Sequence, residues 1–400
     1  MMKTLSLTYF LNLVLLTSSL IYADVRFDTS ILCEKGNKPL SKKKQKKHSK
    51  KNDKRVDKLQ RVENTARNKI QPPDSVVPSL LSQIPEQEGL VLDVKTIRIE
   101  GVENPHNASL VKDPSGGYLL AFRYDSIATS GRQWLFTRIG IIKLDASFNP
   151  ISDFYPIETN SKYSEDPRLF ECMGSIFLFY NDLESEDPYL RTMHMGKLNT
   201  LDMTLEYIEN LDVKICNTEK NWIPFYTNYS QTEFLMSYWY NPHRVLRVYS
   251  PGESHTKLIF EPESEFLSLD WEKTWGQIRG GTPAVLVDGE YLAFFHSSVK
   301  DPSNQKLYYL MGAYTFSQYP PYSLTRISKC PIVFEDIFMT PVCRTADQSK
   351  RVIFPAGYVI SDNENGETVI HVSCGENDSG TKIISLDKKK LYKSLNTISS

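Results

Sequence analysis

No two of the six cysteines in this 400-residue chain stand at metal-ligand spacing such as C-x-x-C. Neither a zinc site nor a dithiol redox motif is therefore expected. Cys33 lies near the N-terminus. The other five, Cys172, Cys216, Cys330, Cys343 and Cys374, are an odd number, which argues against a complete disulfide framework. Net charge is also missing. With 47 Lys and Arg against 48 Asp and Glu, nothing points to a nucleic-acid partner. Sustained helical periodicity is absent from residue 100 onward. What the chain does have is aromatic weight. Its 22 Tyr and 19 Phe suit short strands better than helices.

The N-terminus reads as a secretory signal over residues 1–23. Lys3 starts it, Tyr9 to Leu20 is its apolar region, and Ala23 is a small residue at the cleavage position. The apolar run is short of the roughly 20 residues that a membrane span needs. The chain is thus expected to be secreted or periplasmic, or held at a membrane if this segment stays uncleaved. Residues 24–75 read as a basic, disordered linker. They are rich in lysine, with Lys42, Lys43, Lys44, Lys46 and Lys47 in close succession, and too poor in apolar residues to pack a core. Their alternative use is contact with an anionic surface, either membrane or polyanionic glycan. The folded domain is expected over residues 90–390.

That domain is organised around Ser164-Glu165-Asp166-Pro167-Arg168, where two carboxylates, a proline and a guanidinium precede an apolar strand from Ile176 to Tyr180. The unit recurs loosely. Asn104-Pro105-His106-Asn107 precedes Tyr118 to Arg123. Glu219-Lys220-Asn221-Trp222 precedes Phe234 to Trp239. Ile278-Arg279-Gly280-Gly281-Thr282-Pro283 precedes Tyr291 to His296. Val352 to Tyr358 precedes Thr368 to Gly375. The landmarks at 104, 164, 219, 278 and 352 mark five copies. Repetition of strands and turns at such a period signals the blades of a β-propeller. The fold class is therefore all-β, a five-bladed β-propeller with a disordered basic N-terminal extension. Two stacked sandwiches are the competing arrangement. In a propeller, polar groups at equivalent points of each blade converge on one axial pocket.

In their order and spacing these motifs resemble glycoside hydrolase family 130, over roughly residues 95–390. That family comprises β-mannoside phosphorylases and β-1,2-mannosidases on five-bladed propellers, with related β-1,2-mannosyltransferases. The resemblance makes Asp166 the proton donor, acting through a sugar hydroxyl. It assigns substrate or phosphate contacts to Arg123, Arg138, Arg168, Lys220, Asn221, Arg279, His296 and Asp378. No cofactor or metal is implied beyond inorganic phosphate as co-substrate, and the partner is an oligosaccharide or glycan. The chain departs from the family pattern at Trp222, at Leu144-Asp145-Ala146, and in its basic arm.

Read from the residues alone, each site candidate has a plainer alternative. Asp166 could cap a turn. Lys220 and Arg279 could pair with inner-strand carboxylates. Phosphorolysis needs cations beside the anomeric carbon, for which Arg168, Lys220, Arg279 and His296 are available. Hydrolysis needs a carboxylate base, for which Glu219, Glu376 and Asp378 are available. Trp222, Phe225, Tyr226, Tyr238, Trp239 and Tyr240 could stack on sugars or fill the core, and His243 could be a loop ligand. Asn107, Asn228 and Asn377 stand in glycosylation sequons, and modification at Asn377 would conflict with a site there. The alternative function is a non-catalytic propeller that binds glycan or protein.

Overall fold

The computed structural model describes residues 80–398, except 128–134, 212–215, 228–232, 250–257, 261, 263 and 344–346. The readings of the signal segment, the basic linker, Cys33 and the Asn228 sequon lie outside the described residues.

Strand β1 (Val91–Ile97) comes first among the described strands. The first sheet follows, with β2 (His106–Lys112), β3 (Tyr118–Ile127), β4 (Leu135–Leu144) and β5 (Tyr155–Ile157). The second holds β6 (Glu165–Cys172), β7 (Ser175–Glu186), β8 (Tyr189–Asn199) and β9 (Thr204–Asn210). The third holds β10 (Ile223–Phe225), β11 (Glu233–Tyr240), β12 (His243–Tyr249) and β13 (Leu258–Phe260). Each is an antiparallel meander in chain order. Helix α1 (Asp270–Trp275) then leads into a fourth group. This comprises β14 (Ile278–Gly280), β15 (Val285–Val287), β16 (Glu290–Lys300), β17 (Leu307–Ser317) and β18 (Leu324–Ser328). The fifth comprises β19 (Lys350–Asp362), β20 (Thr368–Glu376) and β21 (Gly380–Asp387). Helix α2 (Lys388–Ser394) and β22 (Leu395–Thr397) end the described chain, with β22 paired to β18. The fourth and fifth groups are joined by a short parallel pairing of Leu307 to Tyr309 with Lys350 to Val352.

The fifth group reaches four strands by taking back β1, which runs antiparallel to β21. The two ends of the repeat region thus share one sheet. Side-chain packing closes the circle. Leu119 and Ile141 of the first sheet meet Leu169 and Leu178 of the second. Phe170 and Phe179 of the second meet Phe234 and Met236 of the third. Ile223 and Phe225 join Phe294 and Phe316 of the fourth, and these join Ile353 and Ile370 of the fifth. Ile97, Val359 and Ile383 of the fifth return to Leu110 and Phe122 of the first. This is a ring of sheets, not a pair of sandwiches. Because each sheet is covered on both faces, the inner strands are buried throughout. His106 to Val111 of β2 are all buried, the polar His106, Asn107 and Ser109 included.

Ring closure rests on β1, and Ile97 is its buried anchor. Ile97→Ala is expected to cost about 2–5 kcal/mol, the range for emptying a filled aliphatic site. Chemical denaturation of the folded chain checks this, and an unchanged midpoint would show that β1 adds nothing to closure.

The aromatic cluster of the third unit is core. Trp222, Phe225, Tyr238 and Tyr240 are buried, and Phe225 packs edge-on to Phe316 at 5.1 Å. His243 is core as well. Its ring nitrogens lie 2.5 Å from Ser237 Oγ and 2.5 Å from Tyr322 O. Burial pushes its pKa down to about 4, against the opposing pull of the Tyr322 carbonyl. All five described cysteines are free thiols.

Candidate active site

The site forms where the inner strands begin. The pairing of β2 with β3 shifts register between His106 and Ser109, and that of β6 with β7 shifts between Glu165 and Arg168. Such bulges re-aim side chains at strand ends. Asn107, Asp166 and Asn221 occupy corresponding points of three sheets, and all are left-handed, with φ of 50°, 55° and 64°. Asn and Asp tolerate this region better than other non-glycine residues. The backbone thereby turns three polar side chains toward the axis.

Asp166 is buried beneath these turns. Asn107 Nδ2 donates to its Oδ1 at 2.8 Å, and Arg123 Nη1 does so at 3.4 Å. Burial by itself would raise the carboxyl pKa. The charges of Arg123 and Arg168, the Asn107 hydrogen bond and Lys220 together outweigh burial and hold it far below the usual carboxylate range. Asp166 is therefore ionised at neutral pH. Arg123 also pairs with Glu165 at 3.1 Å, and Glu165 pairs with buried Arg191 at 3.2 Å.

Arg168 has a different task from the one the motif implies. Its guanidinium is fully buried. Nε donates to Gly281 O at 2.6 Å, Nη1 to Asp166 O at 3.0 Å, and Nη2 to Asn221 Oδ1 and Gly280 O, both at 3.3 Å. The Phe354 ring lies 5.7 Å away. Arg168 therefore pins the second sheet to the third and fourth, and is no open anion contact. The reason lies in the fourth sheet. Its inner strand is broken between β14 and β15, where Pro283 has no N–H and Thr282 Oγ1 accepts from Phe294 N at 3.0 Å. The break leaves the Gly280 and Gly281 carbonyls available to Arg168. Gly280 also has to be glycine, since a Cβ there would fall 2.0 Å from Asn221 O.

Lys220 and Arg279 carry the remaining positive charge. Lys220 is exposed and Arg279 half-buried. Arg279 stands opposite His296 in the strand register. His296 is 1% exposed, lies against Phe354 at 4.5 Å, and its Nδ1 has no hydrogen-bond partner among the described residues. Burial first, then Arg279 and Arg168, push its pKa well below the ordinary value, so the imidazole is neutral. Asp378 comes from the β20–β21 turn, where Asn377 Nδ2 donates to Phe338 O and Thr340 O at 2.9 and 2.7 Å. Burial raises the Asp378 pKa. Arg123 and Lys350 oppose the rise, while Asp347 and Asp166 add to it.

The remaining candidates lie elsewhere. Arg138 reaches Glu158 at 4.0 Å with more than a third of its side chain exposed, apart from the Asp166 group. Glu376 is fully buried. It pairs with Lys382 at 3.0 Å and accepts from Phe338 N at 2.6 Å and from Thr340, which engages it as a structural carboxylate. Glu219 accepts from Cys216 N at 3.0 Å and Trp222 Nε1 at 3.2 Å, and so braces the loop that carries Lys220 and Asn221. The sequons at Asn107 and Asn377 are both buried and hydrogen-bonded, which is incompatible with glycosylation of the folded chain. Asn107 is the partner that motif reading overlooked, although its turn was one of the five landmarks. A separate cavity of about 370 Å³ opens at the far ends of the inner strands. Its wall is mainly apolar, with Leu110, Phe170, Ala284 and Tyr358 among its residues.

No family model and no curated protein matches the chain. Solved structures do. A β-1,2-mannobiose phosphorylase from Listeria innocua, solved with β-1,2-mannobiose, aligns with a TM-score of 0.52 at 15% identity, covering 78% of this chain and 98% of that one. A glycosyl hydrolase from Bacteroides ovatus aligns with a TM-score of 0.52 at 12% identity, covering 80% and 96%. A third is described under the family 130 mannoside phosphorylases that contain hydrolases of β-1,2-mannosidic linkages in Candida mannan. It aligns with a TM-score of 0.51 at 12% identity, covering 82% and 98%. The chain thus has a fold like that of glycoside hydrolase family 130. At such identities the likeness is one of fold.

Proposed function

We propose that the protein is a carbohydrate-active enzyme that cleaves or transfers β-linked mannosides at the axial site, with Asp166 supplying the proton. One observation carries this reading. All five sheets contribute to a single group of interacting charges and dipoles around Asp166, through Asn107 and Arg123, Arg168, Lys220, Arg279 with His296, and Asp378. The solved relatives named for mannobiose phosphorolysis and mannoside hydrolysis support the substrate class. Phosphorolysis is favoured within it. Of the three carboxylates available as a hydrolytic base, Glu219 and Glu376 are engaged in structure, whereas Lys220 and Arg279 have no ion-pair partner that would occupy them among the described residues. Phosphate would attack the anomeric carbon as the glycosidic C–O bond breaks, and the leaving oxygen would take the proton of Asp166, directly or through a sugar hydroxyl.

The test is a screen of mannobioses and related disaccharides, each with and without phosphate. Phosphate-dependent release of a sugar 1-phosphate is the expected result. Lys220→Met and Arg279→Met should each raise the KM for phosphate by about 10- to 100-fold, the scale of one charge-assisted hydrogen bond. The KM for sugar should move little. A second reading is favoured by the depth of Asp166, whose side chain is only 9% exposed. On that reading the ring is non-catalytic and binds glycan or protein at its axis. Saturable glycan binding without turnover of any disaccharide would establish it.

A further inference from the structure

The cavity at the far ends of the inner strands is not part of the group around Asp166. A sealing residue stands between the two on three of the sheets. Asn107, Ser109 and Leu110 come in that order along β2, Asp166, Arg168 and Leu169 along β6, and Arg279, Gly281 and Pro283 from β14 onward. Ser109 Oγ accepts from Leu169 N at 2.9 Å, and Arg168 Nε donates to Gly281 O at 2.6 Å. These bonds tie the first, second and fourth sheets together across the axis, and the cavity lies beyond them. We propose that this second mouth of the ring binds a free single-chain fatty carboxylate, with its alkyl tail in the cavity and its head group at Lys112.

The wall decides the chemistry of the tail. The cavity holds about 370 Å³, within the roughly 300–1,000 Å³ of small-molecule sites. Leu110, Phe170, Val285 and Val359 line it from β2, β6, β15 and β19. Its two buried tyrosine hydroxyls are already committed. Tyr291 Oη donates to Tyr226 O at 2.6 Å, and Tyr358 Oη to Leu292 O at 2.7 Å. A sugar seated there would bury hydroxyls with few partners, which is costly. An alkyl chain asks for none and gains from leaving water. The fourth sheet leaves the room. Pro283 has no N–H, and Ala284 N donates to Pro224 O of the third sheet at 3.0 Å. Only a proline and an alanine then stand where β2 and β6 carry Leu110 and Phe170. Val285 and Leu286 follow at the rim, 41% and 38% exposed, and form an apolar entrance.

Charge at the rim decides the head group. Lys112 and Glu171 are the charged residues of the lining, and both are exposed. Glu171 accepts from Gly174 N at 3.2 Å within its own hairpin turn. Lys112 has no ion-pair partner among the described residues. An anionic head therefore meets an unengaged cation, whereas a cationic head would meet a carboxylate already in use. The inference is independent of the chemistry at Asp166.

Titration calorimetry of the full chain with hexanoate, octanoate, decanoate, dodecanoate and tetradecanoate, each below its micellar concentration, tests the proposal. Affinity should rise about fourfold per added methylene, the scale of burying one CH₂, and level off once the tail outgrows the cavity. Val285→Trp, at the exposed rim and outside the core, should abolish saturable decanoate binding by occupying the entrance. Lys112→Met should weaken decanoate by up to about fivefold, the scale of an exposed ion pair, and leave decanol unchanged. Circular dichroism confirms that the variants keep the fold. Absence of saturable binding at every length overturns the proposal. So does affinity that climbs without levelling, which marks partitioning onto the surface, and so does decanoate binding that survives Val285→Trp. Equal losses for decanoate and decanol in Lys112→Met overturn the head-group assignment. Self-association that Val285→Trp abolishes, with no binding of decanoate, would give the mouth to a second copy of the chain and overturn the proposal as well.

Discussion

Asp166→Asn is expected to lower turnover by about 10²- to 10⁴-fold, the usual share of general acid–base catalysis. The substitution suits the backbone, since asparagine tolerates the left-handed φ of 55° at this position. Asn107 Nδ2 can still donate to the side-chain oxygen, and Arg123 keeps Glu165. Loss should be largest on a substrate with a poor leaving group, which depends most on protonation, and smallest on an activated aryl mannoside. A carboxylate that only fixes the turn would instead slow both substrates equally. An unchanged rate on the poor leaving group would remove Asp166 from the mechanism. Stability carries its own signature. The folded pKa is depressed, so the ionised carboxylate stabilises the ring above its unfolded value of about 3.9. That contribution is lost as pH falls through the lower folded value. The mutant should therefore melt below the wild type near neutrality, and the gap should narrow in strong acid.

Arg168→Met should be the most destabilising single change at the site, at about 3–5 kcal/mol, the cost of removing one member of a buried charged network. Methionine fills part of the volume but leaves the carbonyls of Asp166, Gly280 and Gly281 and Asn221 Oδ1 without their donor. Arg168→Lys should rescue little, because an ammonium cannot span acceptors that a planar guanidinium reaches as a fork. Urea denaturation of the three proteins measures this. A shift under about 1 kcal/mol for the methionine variant, typical of a surface pair, would show that Arg168 does not hold the sheets together.

Much of the ring was legible because each inner strand begins with a local event. A proline, an asparagine or a pair of glycines interrupts an apolar run, and these interruptions are visible one residue at a time. Asp166, Asn221 and Arg279 stand at or beside these interruptions. What stayed hidden was long-range. Arg168 looks like a ligand until the carbonyls that face it are known, and those come from residues 280 and 281, more than a hundred positions away. Glu376 looks like a base until the turn at Phe338 to Thr340 is seen to fold over it. Trp222 departs from the family pattern because its indole packs among residues of the second and third sheets and donates to Glu219. Val91 to Ile97 are rich enough in β-branched residues to form a strand, but nothing in those residues names β21 as its partner.

That partnership sets an order of events during synthesis. β1 leaves the ribosome before any other described strand, yet the strand that receives it, Gly380–Asp387, follows nineteen others. Until then β1 is an unpaired edge. Its own residues guard against premature pairing. Asp93 is exposed and Lys95 half-exposed, and charges on an edge discourage a stray strand from adding to it. Once the ring is complete, Lys95 changes role and donates to Ser147 O and Asn149 Oδ1 in the turn of the neighbouring first sheet. A nascent chain halted before Gly380 would carry the first four groups of strands, β19 and β20, with β1 left unpaired. The circle thus closes only once β21 has been made, because β21 is the strand that pairs with β1.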